Sequence, residues 1–203
     1  KPAGMLIHPS RATNQGTLAN LVAGYYRRSG EKSAFHPVTR LDRDTFGIVL
    51  LAKNAHLHAL LQDAPVKKTY HALTFGGPDT DTGIIDAPIA RLPLPSLLRQ
   101  VSPEGKPSVT EFEVLHRDGQ ICKLALRPVT GRTHQLRLHL SAIGHPLLGD
   151  WLYGTEARTL IPRPALHSHR LELTHPVTRR RLTVTAPLPE DMVRLLPEDM
   201  NKS

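Results

Sequence analysis

Residues 109–115 and 120–127 alternate apolar and polar side chains on either side of Asp118-Gly119. Alternation at period two turns one face of a strand toward a core, and Asp-Gly accepts the positive φ that a tight turn requires. The pair predicts a long β-hairpin, which commits this part of the chain to an antiparallel sheet. Further strands are expected over residues 47–53 and 69–75, with a second hairpin over 166–173 and 182–185 and Pro176 in its connection. Residues 77–107 are rich in Gly, Pro and Asp and predict loop with short extended pieces.

Helical periodicity is confined to short segments. Thr17 is placed to cap a helix with Leu18, Leu21, Val22, Tyr25 and Tyr26 on one stripe, stopped near Gly30. Asn54 caps another through Leu57, Leu60 and Leu61, and a third runs from Thr133 with Leu136, Leu140 and Ile143 inward and Gly144 as its stop. Pro189 opens a short helix through Val193 and Leu196. Strands outnumber helices and are mostly joined by hairpins, so the expected class is α+β.

The 203 residues, 39% hydrophobic and without repeat or linker, predict one domain over residues 1–203. The chain opens at Lys1 with no methionine, which reads as a truncated N-terminus. No apolar run approaches the length of a membrane span and no signal peptide opens the chain. Cys122 lies in an alternating run and has no second cysteine to pair with, which reads as a core thiol and suits a reducing cytoplasm.

The formal charge of +8 is unevenly spread. Residues 1–70 hold ten Lys/Arg against four Asp/Glu and residues 121–181 ten against three, while residues 71–120 hold four against seven. Two basic segments that meet in space make the footprint of a polyanion partner; apart, they are solvated surface. Aromatic residues are only 4%, which argues against a base-stacking platform, so backbone charge and shape must supply most of the affinity if the polyanion is a nucleic acid.

Two stretches carry candidate chemistry. Thr39-Arg40-Leu41-Asp42-Arg43-Asp44-Thr45-Phe46-Gly47 sets Asp42 between two arginines ahead of an apolar run. Positive neighbours favour the ionised acid, which can act as nucleophile or base without a cofactor, although an ion pair ending a strand has the same pattern. Gly131-Arg132-Thr133-His134-Gln135-Leu136-Arg137-Leu138 sets Arg137 between two leucines of a helix. A guanidinium at the edge of a core needs a carboxylate, and Asp42 is the best candidate, unless Arg137 snorkels to solvent. Tyr70 follows Lys67 and Lys68 in a strand, as core or as a pocket wall. The twelve histidines lack metal-ligand spacing and read as surface residues, and no phosphate-loop, dinucleotide or nucleophile-elbow motif occurs.

Six blocks occur in order: Lys1-Pro2-Ala3-Gly4-Met5-Leu6-Ile7-His8-Pro9, the Arg40–Gly47 block, Lys68-Thr69-Tyr70-x-Ala72, Gly105-Lys106-Pro107-x-Val109-Thr110, Gly131–Arg137 and Gly144-His145-Pro146-Leu147-Leu148-Gly149-Asp150. Together they resemble the ribosomal-large-subunit (RluA-type) pseudouridine synthases over essentially the whole chain. The resemblance implies a largely antiparallel mixed sheet with flanking helices and a central catalytic cleft. It implies isomerisation of specific uridines in structured RNA, ribosomal or transfer, by a cytoplasmic monomer that needs no cofactor, metal or membrane.

Residue by residue, it implies that Asp42 initiates breakage of the N1–C1′ bond, that Tyr70 stacks on the uracil and helps take the C5 proton, and that Arg137 pairs with the aspartate. Arg40 matches an arginine associated with the flipped-out target, and Arg132 an RNA-contact group; Arg43, Lys67 and Lys68 are the further RNA-contact candidates. Thr39 and Phe46 stand where the family often has His and Ser. An S4-like RNA-binding module, carried by many relatives, would lie upstream of Lys1. Two rivals remain: a non-catalytic RNA-binding module, and an N-glycosidase using Asp42 and Asp44 to release free uracil.

Overall fold

The computed structural model describes residues 1–10, 12–93, 96, 98–154 and 160–197. The chain divides into two compact units, Lys1–Lys68 with Ser168–Ala186, and Thr69–His167 with Pro187–Ser203. In chain order the elements are α1 (Leu18–Arg28), β1 (His36–Pro37), β2 (Phe46–Gly47), β3 (Leu51–Ala52), α2 (Ala55–Gln62), β4 (Lys67–Phe75), β5 (Thr82–Asp86), β6 (Ile89–Arg91), β7 (Arg99–Val101), β8 (Val109–Arg117), β9 (Ile121–Pro128), α3 (Gln135–Ala142), β10 (Leu166–Thr174), β11 (Arg181–Thr185) and α4 (Glu190–Val193). The pairs β1–β3, β10–β11, β4–β9, β5–β8, β6–β7 and β8–β9 are antiparallel, as the α+β reading expects.

In the first unit, Thr17 and Asn20 form a reciprocal capping box that starts α1. The helix buries only Tyr26, while Leu21 and Tyr25 are 53% and 55% exposed. The stripe splits because Leu18, Val22 and Tyr26 form one i, i+4 row, and Leu21 and Tyr25 form the next. The helix start is tied down by Leu18 N donating to Leu6 O at 2.9 Å and Ala19 N to Ile7 O at 3.1 Å. Asn54 caps α2 as expected, accepting from Leu57 N at 2.8 Å. Ala52, Leu61, Leu171 and Leu173 form the core of this unit, with Val38, Ile48, Leu50 and Leu57 against it.

The single strand expected over residues 47–53 is instead two short ones, β2 and β3. Their partners differ: Ile48 N donates to Ser168 O at 3.0 Å, whereas Leu51 and Ala52 pair with Pro37 and His36. The switch passes through Gly47, whose φ is +124° and whose absent Cβ would meet the Ser168 backbone. Strands β10 and β11 form the second hairpin, in register from Arg170↔Thr185 to Thr174↔Arg181.

In the second unit, β4, β9, β8 and β5 lie side by side in that order. Their turn at Asp118-Gly119 is as predicted. Asp118 Oδ1 accepts from Ile121 N at 2.6 Å and Gln120 N at 3.0 Å, and Gly119 has φ +92°. Those same N–H donors hold the Asp118 carboxyl below its usual range. Tyr70 through Thr74 of β4 are all buried, so both faces of this strand are covered. Leu73, Leu148, Ile161, Ala165, Met192 and Leu196 form the core on one side. Cys122 is a buried free thiol, its pKa raised by burial.

Among the described residues no helix is long and apolar enough to cross a membrane. No group of three His, Cys, Asp or Glu side chains among them could hold a metal ion. The expectation of surface histidines fails at His139 and His167, which are both fully buried.

Candidate active site

Asp42 lies in the first unit on the loop between β1 and β2, half-buried, in a turn closed by Thr45 N donating to Asp42 O at 3.2 Å. Arg40 is exposed. Arg43 is also exposed and pairs with Asp44, Nε to Oδ1 at 3.1 Å and Nη2 to Oδ2 at 3.3 Å, so its carboxylate partner is the residue after it. The loop is held from below by Lys1, whose Nζ donates to the carbonyls of Arg43 at 2.7 Å, Met5 at 2.9 Å and Pro2 at 2.9 Å. Sequence reasoning missed this ammonium staple; its signal was the Lys-Pro that opens the first of the six blocks. Lys67 is exposed and Lys68 half-buried at the start of β4, and burial lowers the Lys68 pKa.

Tyr70, Arg132 and Arg137 belong to the second unit. Tyr70 sits in β4 opposite Leu126 of β9 and is 7% exposed. Arg132 is exposed and its Nε donates to Pro107 O at 3.2 Å.

Helix α3 begins at Gln135, two residues later than predicted, because His134 takes a left-handed backbone with φ 58°. The expected inward stripe is only part of the story. Gln135 through Leu140 are all buried, while Ile143 is 36% exposed. Three of those six residues are polar, and each is answered. Gln135 Oε1 accepts from Thr130 Oγ1 at 2.8 Å and Arg132 N at 2.9 Å, and its Nε2 donates to Val109 O at 2.9 Å and Thr110 Oγ1 at 3.0 Å.

His139 has Nε2 3.0 Å from Ala87 O and Nδ1 2.9 Å from Thr110 Oγ1. A carbonyl only accepts, so Nε2 carries the proton. Burial lowers the His139 pKa, so the ring is neutral and Nδ1 accepts from the threonine hydroxyl. These bonds lock α3 to β8 and to the loop that follows β5.

Arg137 is 6% exposed, and its carboxylate partner is Asp150, where the sequence reading nominated Asp42. Nε donates to Oδ2 and Nη2 to Oδ1, both at 2.7 Å, in a buried bidentate pair. Asp150 Oδ1 also accepts from Leu152 N at 3.0 Å and Tyr153 N at 3.2 Å. The Tyr153 ring lies 5.1 Å from the Arg137 guanidinium carbon. Its hydroxyl is 2.7 Å from His134 Nδ1 and accepts from Arg99 N at 3.3 Å. The second unit therefore presents a guanidinium whose charge and plane are both fixed. Sequence reasoning missed Asp150 and Tyr153 as members of this group, although Asp150 closes the last of the six blocks.

The chain matches the family model for RNA pseudouridylate synthase over residues 1–142. It is 43% identical over 192 residues to the uncharacterised RNA pseudouridine synthase YjbO of Bacillus subtilis, covering 93% of this chain and 68% of that protein. It is 39% identical over 208 residues to ribosomal large subunit pseudouridine synthase D of Nitrosomonas europaea, covering 97% of this chain and 60% of that one. Thus the chain spans roughly two thirds of the length of such relatives, 68% and 60% in these two. Among solved structures it is similar to human RNA pseudouridylate synthase domain containing 4, with a TM-score of 0.76 and 25% identity, covering 95% of this chain and 85% of that one.

Proposed function

This chain belongs to the RNA pseudouridylate synthase family, and we propose on that premise that it isomerises specific uridines of ribosomal RNA to pseudouridine, with Asp42 as the initiating acid. The observation that carries the reading is that the Asp42 block and the Arg137 block both fall inside the matched residues 1–142. That match also runs through the boundary at Lys68/Thr69, which supports reading residues 1–203 as one catalytic domain. Ribosomal RNA is favoured over transfer RNA by the Nitrosomonas europaea relative, which is named a ribosomal large subunit pseudouridine synthase.

The reaction breaks the C1′–N1 bond, forms C1′–C5, releases the C5 proton and protonates N1. Substrate and product contain the same atoms at the same oxidation level, so positioned acids and bases suffice. A uridine within a stack does not expose C1′, so the target is extruded from the RNA before reaction. Asp42 attacks C1′ or C6, or removes the 2′ proton. Tyr70 stacks on the freed uracil and helps to take the C5 proton, and Arg137 supplies a fixed positive charge for the reacting carboxylate. Arg40 serves the extruded nucleotide, and Arg43, Lys67, Lys68 and Arg132 hold RNA phosphates. The enzyme acts as a cytoplasmic monomer.

The test is the fate of the base. Protein is incubated with transcribed ribosomal RNA, the RNA is digested to nucleosides, and pseudouridine and free uracil are measured. Pseudouridine without free uracil is expected. Free uracil makes the chain an N-glycosidase, and neither product makes it a binding module.

A further inference from the structure

We propose that Asp150 and Tyr153 are positioning residues for the reaction, acting through Arg137; this rests on the reading that Arg137 serves the reacting aspartate. One carboxylate does two jobs. It takes the Nε–Nη2 edge of Arg137 at 2.7 Å per bond, and it accepts from Leu152 N at 3.0 Å and Tyr153 N at 3.2 Å. The second pair of bonds builds the turn that carries the Tyr153 ring over the guanidinium. Rotation within the guanidinium plane is stopped by the bidentate pair, and tilt out of the plane by the ring.

The turn is itself tied down on every side. Ser141 Oγ of α3 donates to Tyr153 O at 2.6 Å, and Gly154 N to Asp150 O at 2.8 Å. A Cβ at Gly154 would stand 2.8 Å from Asp150 O, and one at Gly149 would press on the carbonyls of Arg163 and Ile161. The Tyr153 hydroxyl meets His134 Nδ1 at 2.7 Å, and His134 holds the left-handed conformation that α3 starts from. A left-handed non-glycine residue costs energy and persists where its surroundings over-determine it. Such supports bear on rate, because a reacting group held within a fraction of an ångström is worth far more than one merely nearby.

The experiment uses transcribed ribosomal RNA labelled with tritium at uridine C5, whose release follows formation of the C1′–C5 bond. Rates with RNA in excess give kcat and KM, and filter binding gives RNA affinity. Asp150→Asn keeps shape and loses charge; it is expected to lower kcat at least tenfold with KM and affinity within threefold. Tyr153→Leu is expected to lower kcat several-fold, and Tyr153→Phe, which keeps the ring, less than Tyr153→Leu. In an Arg137→Lys background, Asp150→Asn is expected to cost less than threefold more, because its route of action is already broken. A purely structural role would lower the folded fraction and multiply its cost in the double variant.

Wild-type kcat in Asp150→Asn beside an impaired Arg137→Lys overturns the inference and leaves the proposed reaction standing. Wild-type kcat in Arg137→Lys overturns the role of Arg137 itself. Should Asp150→Asn fail to fold, the Tyr153 pair decides, and wild-type kcat in Tyr153→Leu overturns the inference.

Discussion

Gly47→Ala should be among the most damaging small substitutions in the first unit. Gly47 has φ +124°, and an added Cβ would lie 2.7 Å from Ser168 N and 2.8 Å from Ser168 C, closer than real Cβ atoms approach backbone. Neither neighbour is a flexible side-chain end, so relief requires the two segments to separate. Separation breaks the bond from Ile48 N to Ser168 O at 3.0 Å and that from Ser168 Oγ to Ile48 O at 3.1 Å. Each is worth about 1 kcal/mol. The backbone conformation adds about 1–3 kcal/mol of strain for a residue with a Cβ. Together these cost about 3–5 kcal/mol, a large part of a typical domain's stability. Gly119→Ala is the control, since φ there is +92° but nothing lies within 4 Å of the added Cβ. It carries strain alone, so the two variants should differ by about 2 kcal/mol. Urea unfolding followed by far-ultraviolet circular dichroism measures both, and a 2 kcal/mol difference moves the midpoint by about 1 M. Equal midpoints for the two variants would refute the close-approach argument.

The buried His139 gives a pH dependence of known sign. Burial holds its native pKa below the ordinary value near 6.5, so the folded state binds fewer protons than the unfolded state as pH falls. Its stability contribution is complete above that unfolded value and declines as pH drops below it, by at most about 1.4 kcal/mol per pH unit. His139→Gln should therefore show a shallower fall in urea midpoint between pH 7 and pH 5; an unchanged slope would contradict the neutral-ring assignment. RNA affinity should fall steeply with salt, because aromatic residues are only 4% of the chain and charge must do the binding. Lys67→Ala/Lys68→Ala should lower the slope of log K against log salt by roughly one unit per lost phosphate contact, and a flat dependence in the wild type would mean the positive residues are solvated surface.

What the sequence discloses depends on how local the cause is. The Asp118-Gly119 turn and the Thr17 and Asn54 caps are settled by a few neighbouring atoms, and they stand where the pattern places them. The break between β2 and β3 is not local. It arises because Gly47 and Ile48 meet Ser168 while Leu51 and Ala52 meet β1, a choice made more than a hundred residues away. The same holds for charge. That Arg137 needs a carboxylate follows from its two leucine neighbours, but which carboxylate it meets is a matter of tertiary packing. Asp150 answers it from the end of a turn, and Arg43 spends its own guanidinium on Asp44. The left-handed His134 and the buried His139 are invisible to periodicity, because both depend on partners brought in by other elements.

The central claim is that Asp42 initiates the isomerisation, and Asp42→Asn tests it most directly. The side chain is half-buried in a surface loop and nearly isosteric with asparagine, so the fold should persist. Turnover of C5-tritiated ribosomal RNA and RNA affinity are measured side by side. The account predicts no detectable tritium release with affinity within a few-fold of wild type. A variant that retains a substantial fraction of wild-type turnover would contradict it.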